Sequence, residues 1–234
     1  MYRLFLLLFT FFLTSCGDQP PSGQPVPLDK PPRLAVGDHW VYNKVNGYNN
    51  EIADILSYDI IRVEKDAITF KVKSDFRTGA RAVQETYTPG GNLLIKETLD
   101  TGAFRYQPYY PSYRFPLEAG QTWREDFSYL DSRLNRRVTA QVYARAIRWE
   151  RIRVPAGEFN TLRISRDIYF NDQEWWRSGT TMTETDWYSP EVKRFVLHTD
   201  YFEYLDFTQG RRNALVRGDR NELHLTEYRL SGTP

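Results

Sequence analysis

Glu184 and Asp186 stand two residues apart in a stretch that reads as a strand, which would put both carboxylates on one face. Two acids on one face, one of them held protonated, are the equipment a glycoside hydrolase needs. Glu203 and Asp206 lie near them in sequence, and the same spacing also suits a strand whose acids simply face solvent. The three histidines, His39, His198 and His224, have no cysteine, histidine or carboxylate at the usual metal-ligand spacings, so no metal site is expected. No serine sits in a G-x-S-x-G context and no glycine-rich phosphate loop occurs, so neither a catalytic residue nor a cofactor is assigned.

A second candidate is a surface rather than a reactive group. Residues 104–116 read FRYQPYYPSYRFP, with Tyr106, Tyr109, Tyr110 and Tyr113 set among three prolines. Tyrosines on a proline-stiffened chain are rigid and amphipathic, as binding surfaces require. They could equally plug the space between two parts of the body. Arginines cluster at 133, 136 and 137 and again at 211, 212, 217 and 220, where they could meet anionic headgroups or an acidic glycan, or be solvated loops.

The elements that must position these residues are strands. Ile68, Phe70 and Val72 alternate with Thr69, Lys71 and Lys73, and Leu162 and Ile164 alternate with Arg163 and Ser165. Pro89-Gly90-Gly91-Asn92 turns one apolar run into the next. Residues 51–60 fit helix or strand, with a strand favoured from about Ser57; residues 104–116 break the pattern. In the last strand Leu223 and Leu225 share one parity and Tyr228 and Leu230 the other, which predicts a bulge between them. No helical period runs beyond ten residues. The expectation is an all-β fold of ten to twelve antiparallel strands, its curved sheets forming a β-sandwich or half-open barrel.

Two segments recur. Gly37-Asp38-His39-Trp40 returns as Gly120-Gln121-Thr122-Trp123, and Tyr87-Thr88-Pro89 returns as Tyr188-Ser189-Pro190. Either the body has two related halves, 33–103 and 117–234, or common turn-plus-aromatic patterns coincide.

Composition narrows the class. The 234 residues carry 31 basic and 30 acidic side chains; without residues 1–15, which hold Arg3 and no acid, the two balance. That is not the footprint of a nucleic-acid binder. Cys16 is the only cysteine, so no intramolecular disulfide can form and the core must hold the fold. Thirty-six Phe, Tyr and Trp residues supply that core.

Leu4 to Leu13 is apolar except for Thr10. As a helix it would rise about 15 Å, half a bilayer's hydrocarbon thickness, so it suits the apolar region of a signal peptide over 1–15. Leu13-Thr14-Ser15-Cys16, followed by Gly17, resembles the lipobox of bacterial lipoproteins. The resemblance implies diacylglycerol on the Cys16 sulfur and acylation, such as palmitate, of its new amino terminus. It further implies a place in the cell envelope, on the periplasmic face of the outer membrane of a Gram-negative cell. Residues 16–32 hold six prolines and no aromatic and read as a tether; residues 33–234 form the β-domain.

Gly120-x-x-Trp123, Val154 to Ile164 (VPAGEFNTLRI) and Trp187 to Phe195 (WYSPEVKRF) together resemble an uncharacterised bacterial envelope domain with VPAGxF and WYxPxVxR segments. It implies a β-rich, often lipid-anchored body and brings no catalytic residues. Glu191 stands where that pattern has glycine. The sequence thus points to a non-enzymatic, membrane-tethered module that binds an envelope protein, a glycan or an apolar ligand. The alternatives are a lipid carrier with a β-cavity and a hydrolase using Glu184 and Asp186.

Overall fold

The computed structural model describes residues 28–75, 82–98, 102–131, 135–172, 174, 176–208 and 214–231. Cys16, the apolar leader and most of the tether lie outside them. The strands are β1 (His39–Asn46), β2 (Ile52–Val63), β3 (Ile68–Ser74), β4 (Ala82–Tyr87), β5 (Leu93–Thr98) and β6 (Gly102–Tyr110), then β7 (Thr122–Asp131), β8 (Arg136–Val154), β9 (Gly157–Asn171), β10 (Arg177–Ser189), β11 (Arg194–Asp206) and β12 (Ala214–Arg229). Each pairs antiparallel with its sequence neighbours, and β1 pairs with β12 to close a barrel. The sheet is neither a sandwich nor half-open. Closure leaves no unpaired edge, and Asp38 reinforces the seam by accepting the Ser231 amide and hydroxyl at 2.6 and 2.7 Å.

Alternation decides which face is inside. On β8, Val138, Ala140, Val142, Ala144 and Ala146 are buried, while Thr139, Arg145, Arg151 and Arg153 are exposed. A membrane-spanning barrel would reverse this, with an apolar outer band. Here the outer face of the longest strand is mainly polar and charged, with Tyr143 and Ile147 as its large apolar exceptions.

The expected bulge in β12 exists: Val41 pairs with Glu227 but Tyr42 with Leu225, leaving Thr226 as the extra residue. Pro155 follows the end of β8, and Gly157 turns the chain at φ +141° so that Phe159 enters the core. In the β10–β11 turn the left-handed residue is Lys193, φ 61°, and Glu191 instead accepts the Tyr228 hydroxyl at 3.0 Å.

Two local expectations change. Residues 52–63 are strand throughout. Residues 102–110 are a strand despite their proline, because between the pairs Leu93–Tyr110 and Ile95–Arg105 β6 bulges away from β5, and its pairing with β7 stops at Gln107. Pro108 therefore sits where neither ladder asks for its missing N–H. Leu28 exchanges both backbone hydrogen bonds with Leu117, at 2.9 and 3.1 Å, so residues 28–32 already lie against the barrel.

Places six strands apart share local geometry. The Gly37 amide bonds the Ile60 carbonyl and the Ile60 amide bonds Asp38; Gly120, Ala146 and Gln121 repeat both bonds. Both glycines have φ near +90°, and a bulge follows both Ile60 and Ala146. Each half of the interior has its own apolar cluster, one around Trp40, Tyr42 and Phe70, the other around Trp123, Phe127 and Ile164. Burying rings of this size stabilises by roughly 1.5–3 kcal/mol each.

Candidate functional site

Between the two clusters the barrel keeps a cavity of about 380 Å³, within the range of small-molecule sites. Leu34, Leu56, Leu93 and Leu223 are among its apolar walls, and charged side chains enter from β1, β4, β5, β9, β10 and β11. A second cavity of about 240 Å³ adjoins it, sharing Leu93, Tyr110 and Met182 and adding Phe104, Tyr129 and Phe170.

One wall is a saturated ion network. Arg166 continues the inward series Leu162, Ile164 of β9 and is only 2% exposed. Its Nε and Nη2 each lie 2.9 Å from Glu184 Oε2, and Nη1 donates to Asp186 Oδ2 at 2.8 Å and the Ser112 carbonyl at 3.2 Å. Asp186 Oδ1 lies 2.6 Å from His198 Nδ1, and His198 Nε2 lies 3.4 Å from Asp200. Tyr113 donates to Asp186 at 3.0 Å, and Asn221 to Asp200 at 2.9 Å. Burial alone would raise Asp186, but Arg166 beside it and the His198 bond hold it well below the usual carboxylate range. Burial opposes charge on His198 too, yet its bonds to Asp186 and Asp200 raise it to about 10, so it is cationic at neutral pH.

Two strands on, at the start of β11, stands a cation with no hydrogen-bond or ion-pair partner among the described residues. Trp40 Nε1 donates to the Val192 carbonyl at 3.0 Å and the Tyr42 hydroxyl to the Phe195 carbonyl at 2.8 Å, which fixes the start of β11 against β1. The register shifts there, since Trp187 pairs with Leu197 but Tyr188 with Phe195. A bulge re-aims side chains, and the adjacent Arg194 and Phe195 both line the cavity. The Arg194 guanidinium carbon lies 4.0 Å from the centroid of Tyr58, 5.0 Å from Phe195, 5.1 Å from Phe70, 5.8 Å from Trp40 and Tyr42, and 6.0 Å from Tyr87. Its Nη1 is buried with no hydrogen-bond partner. Glu85 is held instead by the Tyr87 hydroxyl at 2.5 Å.

Of the residues singled out from sequence, Glu184 and Asp186 do share a face, and it is the inner one. Both acids are joined to one guanidinium, which with His198 holds Asp186 well below the usual carboxylate range. Tyr106 and Tyr110 face the second cavity, and Tyr113 reaches Asp186 from the segment after β6. Asn92 Oδ1 accepts the Ser112 and Tyr113 amides at 2.7 and 2.9 Å to hold that segment. A Cβ on Gly91 would meet the Tyr113 ring at 2.9 Å, so glycine is required there by close approach as well as by φ +79°. Tyr109 is apart from Tyr106 and Tyr110, lining a surface pocket with Pro31, Tyr113 and Arg114.

The arginine clusters split. Arg136 pairs with Glu174 at 2.7 Å, Arg137 with Gln107 at 2.6 Å, and Arg220 with Glu222 at 3.7 Å; Arg133, Arg211 and Arg212 lie outside the described residues. His39 bonds Asp59 and His224 bonds Glu222, and among the described residues no trio of His, Cys, Asp or Glu is placed to hold a metal.

Sequence reading missed both central arginines. Arg166 had a signal: it is the one charged residue in the inward parity run Leu162, Ile164, Arg166, Ile168, Phe170. Arg194 had none, because a bulge decides its direction.

Neither protein-family models nor curated proteins match the chain. Solved structures do. The fold is shared with a "putative lipoprotein" of Parabacteroides distasonis at TM-score 0.51 and 16% identity, over 88% of this chain and 100% of that one. It is shared equally with a "putative exported protein with YmcC-like fold" of Bacteroides fragilis, at TM-score 0.50 and 12% identity, over 87% of this chain and 100% of that one.

Proposed function

We propose that this chain is a cell-envelope lipoprotein, tethered through lipid on Cys16, whose β-barrel binds a small ligand without transforming it. The observation that carries the reading is the internal cavity of a closed barrel whose longest strand turns mainly polar and charged side chains outward. Such a barrel sits in water, so a membrane contact falls to the acylated amino terminus, where several chains at about 0.8 kcal/mol per buried CH₂ hold firmly. The lipobox-like Leu13-Thr14-Ser15-Cys16 and a fold shared with proteins described as lipoprotein and exported support the envelope placement. Gly17 after the cysteine favours the periplasmic face of an outer membrane. The same reading takes β1–β6 and β7–β12 as two copies of one six-stranded unit, supported by the matching turns and bulges.

The test is to purify the full-length protein from the membrane of the expressing cell and identify what co-extracts, beside Leu93→Trp, which fills the junction of the two cavities. A stoichiometric small molecule present in the wild type and lost from a folded Leu93→Trp protein is expected. Empty preparations of both proteins would remove the ligand-binding reading. Cys16→Ala should move the protein from the detergent phase to the aqueous phase; unchanged partitioning would remove the anchor.

A further inference from the structure

The charge distribution inside the cavity names the class of ligand, and this inference rests on the ligand-binding reading above. We infer that the barrel takes an amphipathic anion, a carboxylate or phosphate head on a hydrocarbon tail, with the head seated on Arg194.

Arg194 offers five N–H donors in a planar fork and, among the described residues, none of them bonds an oxygen or pairs with a carboxylate. Six aromatic rings surround it. Their faces attract a cation but accept no directed hydrogen bond comparable to an oxyanion's, so the guanidinium is held charged and in place with its polar valence unused. Burial disfavours its charge, yet the surrounding tyrosines and Glu85 keep it fully protonated. A buried polar group without a partner is costly, and a bidentate oxyanion is what such a fork fits.

The rest of the cavity agrees in sign. Its cations are Lys44, Lys96, Arg166, Lys193, Arg194 and His198, against the acids Glu85, Glu184, Asp186 and Asp200. Three of those acids are consumed by Arg166 and His198. Lys44 and Lys96, like Arg194, have no ion pair among the described residues, so the unpaired surplus is positive. Leu93 and Met182 continue from this cavity into the second one, where, beside the shared Lys96 and Glu184, Phe104, Tyr129 and Phe170 make an apolar extension suited to a tail.

The experiment titrates full-length protein in nonionic detergent with octanoate, octyl phosphate, octanol and octyltrimethylammonium, read by native mass spectrometry and by the unfolding midpoint. At least one anion is expected to bind tenfold or more tighter than the alcohol and the cation, and the two anion arms say whether a carboxylate or a phosphate head is preferred. Arg194→Met should lose that preference and Arg194→Lys keep part of it. Equal binding of all four probes, unaffected by Arg194→Met, would overturn the anion inference while leaving a ligand-binding cavity. Binding of no probe to the wild type also overturns it, and the co-extraction experiment then decides the cavity reading by itself. Should Arg194→Met fail to fold, the probe ranking of the wild type and Arg194→Lys still decides.

Discussion

Arg166 on β9 and Arg194 on β11 enter one barrel two strands apart, and their surroundings differ in kind. Arg166 spends its donors on Glu184, Asp186 and the Ser112 carbonyl. Arg194 meets ring faces and keeps a buried Nη1 without a partner. Their places in the ladders sharpen the contrast. Asp186 pairs with Ile164 and Glu85 with Phe70, six strands away, so the acid position recurs. Counting on through the turns from Tyr87 and Tyr188 sets Asn92 opposite Arg194. Asn92 grips the backbone of Ser112 and Tyr113, which fill that side of the barrel. At the equivalent position on β11 an arginine stands among aromatic rings beside the cavity. A saturated ion network is a fixture of the fold, and an unsaturated cation beside a cavity is a place for something else.

The largest break in that comparison is Arg166→Met. It leaves Glu184 and Asp186 buried without their counter-cation, and removing one partner of a buried pair typically costs about 3–5 kcal/mol. Chemical denaturation should show a loss of that size. A loss below about 1 kcal/mol would mean that the network is slack and that the two walls are alike.

His198 tests the same wall through pH. Its folded value of about 10 lies above the ordinary 6.5, so the folded state binds the extra proton between those two values. The stabilisation is complete below pH 6.5 and is lost as pH rises through 10, amounting to a few kcal/mol. The groups facing the ring are Asp186, Asp200, Glu184 and Phe195, with Lys44 acting on Asp200. Wild type should therefore lose stability between pH 6.5 and 10 relative to His198→Gln, with flat behaviour of the difference counting against the network. Asp186 acts in the other direction. Its depressed value gives stability that is present above the ordinary carboxylate range and lost as pH falls below it.

How much of this was written in the sequence depends on how local each signal is. Alternation in β3 and β9, the glycine turns and the parity change between Leu225 and Tyr228 are set by neighbouring residues, and they read correctly. The continuity of β6 did not, because Pro108 is tolerated only through a mismatch between β5, β6 and β7 that no single strand displays. Barrel closure joins residues almost two hundred positions apart, as His39 with Arg229, and left no local mark. Glu184 and Asp186 were legible as a pair, but their meaning was not. The same spacing serves a catalytic dyad, a wet surface or an ion network, and only Arg166 from the neighbouring strand decides among them.

A smaller effect is expected at Tyr113→Phe. Its hydroxyl is one of three donors on Asp186, with Arg166 and His198 remaining, so the loss should be about 1–2 kcal/mol, typical of a hydrogen bond to a charged acceptor. Destabilisation matching that of Arg166→Met would make the inserted segment, rather than the guanidinium, the organising element of that wall.

The smallest change, and the most telling, is Arg194→Met. The unbranched thioether follows the path of the arginine stem and keeps contact with the rings. What disappears is the cation–π attraction, about 0.5–2 kcal/mol when desolvated, together with the cost of burying guanidinium donors that bond nothing. The two have opposite sign, so the unfolding free energy of the ligand-free protein should move by less than about 1 kcal/mol, in contrast to the same substitution at Arg166. Stability rises only when a ligand that binds the folded state is present, so added octanoate should separate wild type from Arg194→Met where the empty proteins nearly coincide. If Arg194→Met instead unfolds the empty barrel as severely as Arg166→Met does, the aromatic cage is a structural fixture of equal rank, and the difference between the two walls disappears.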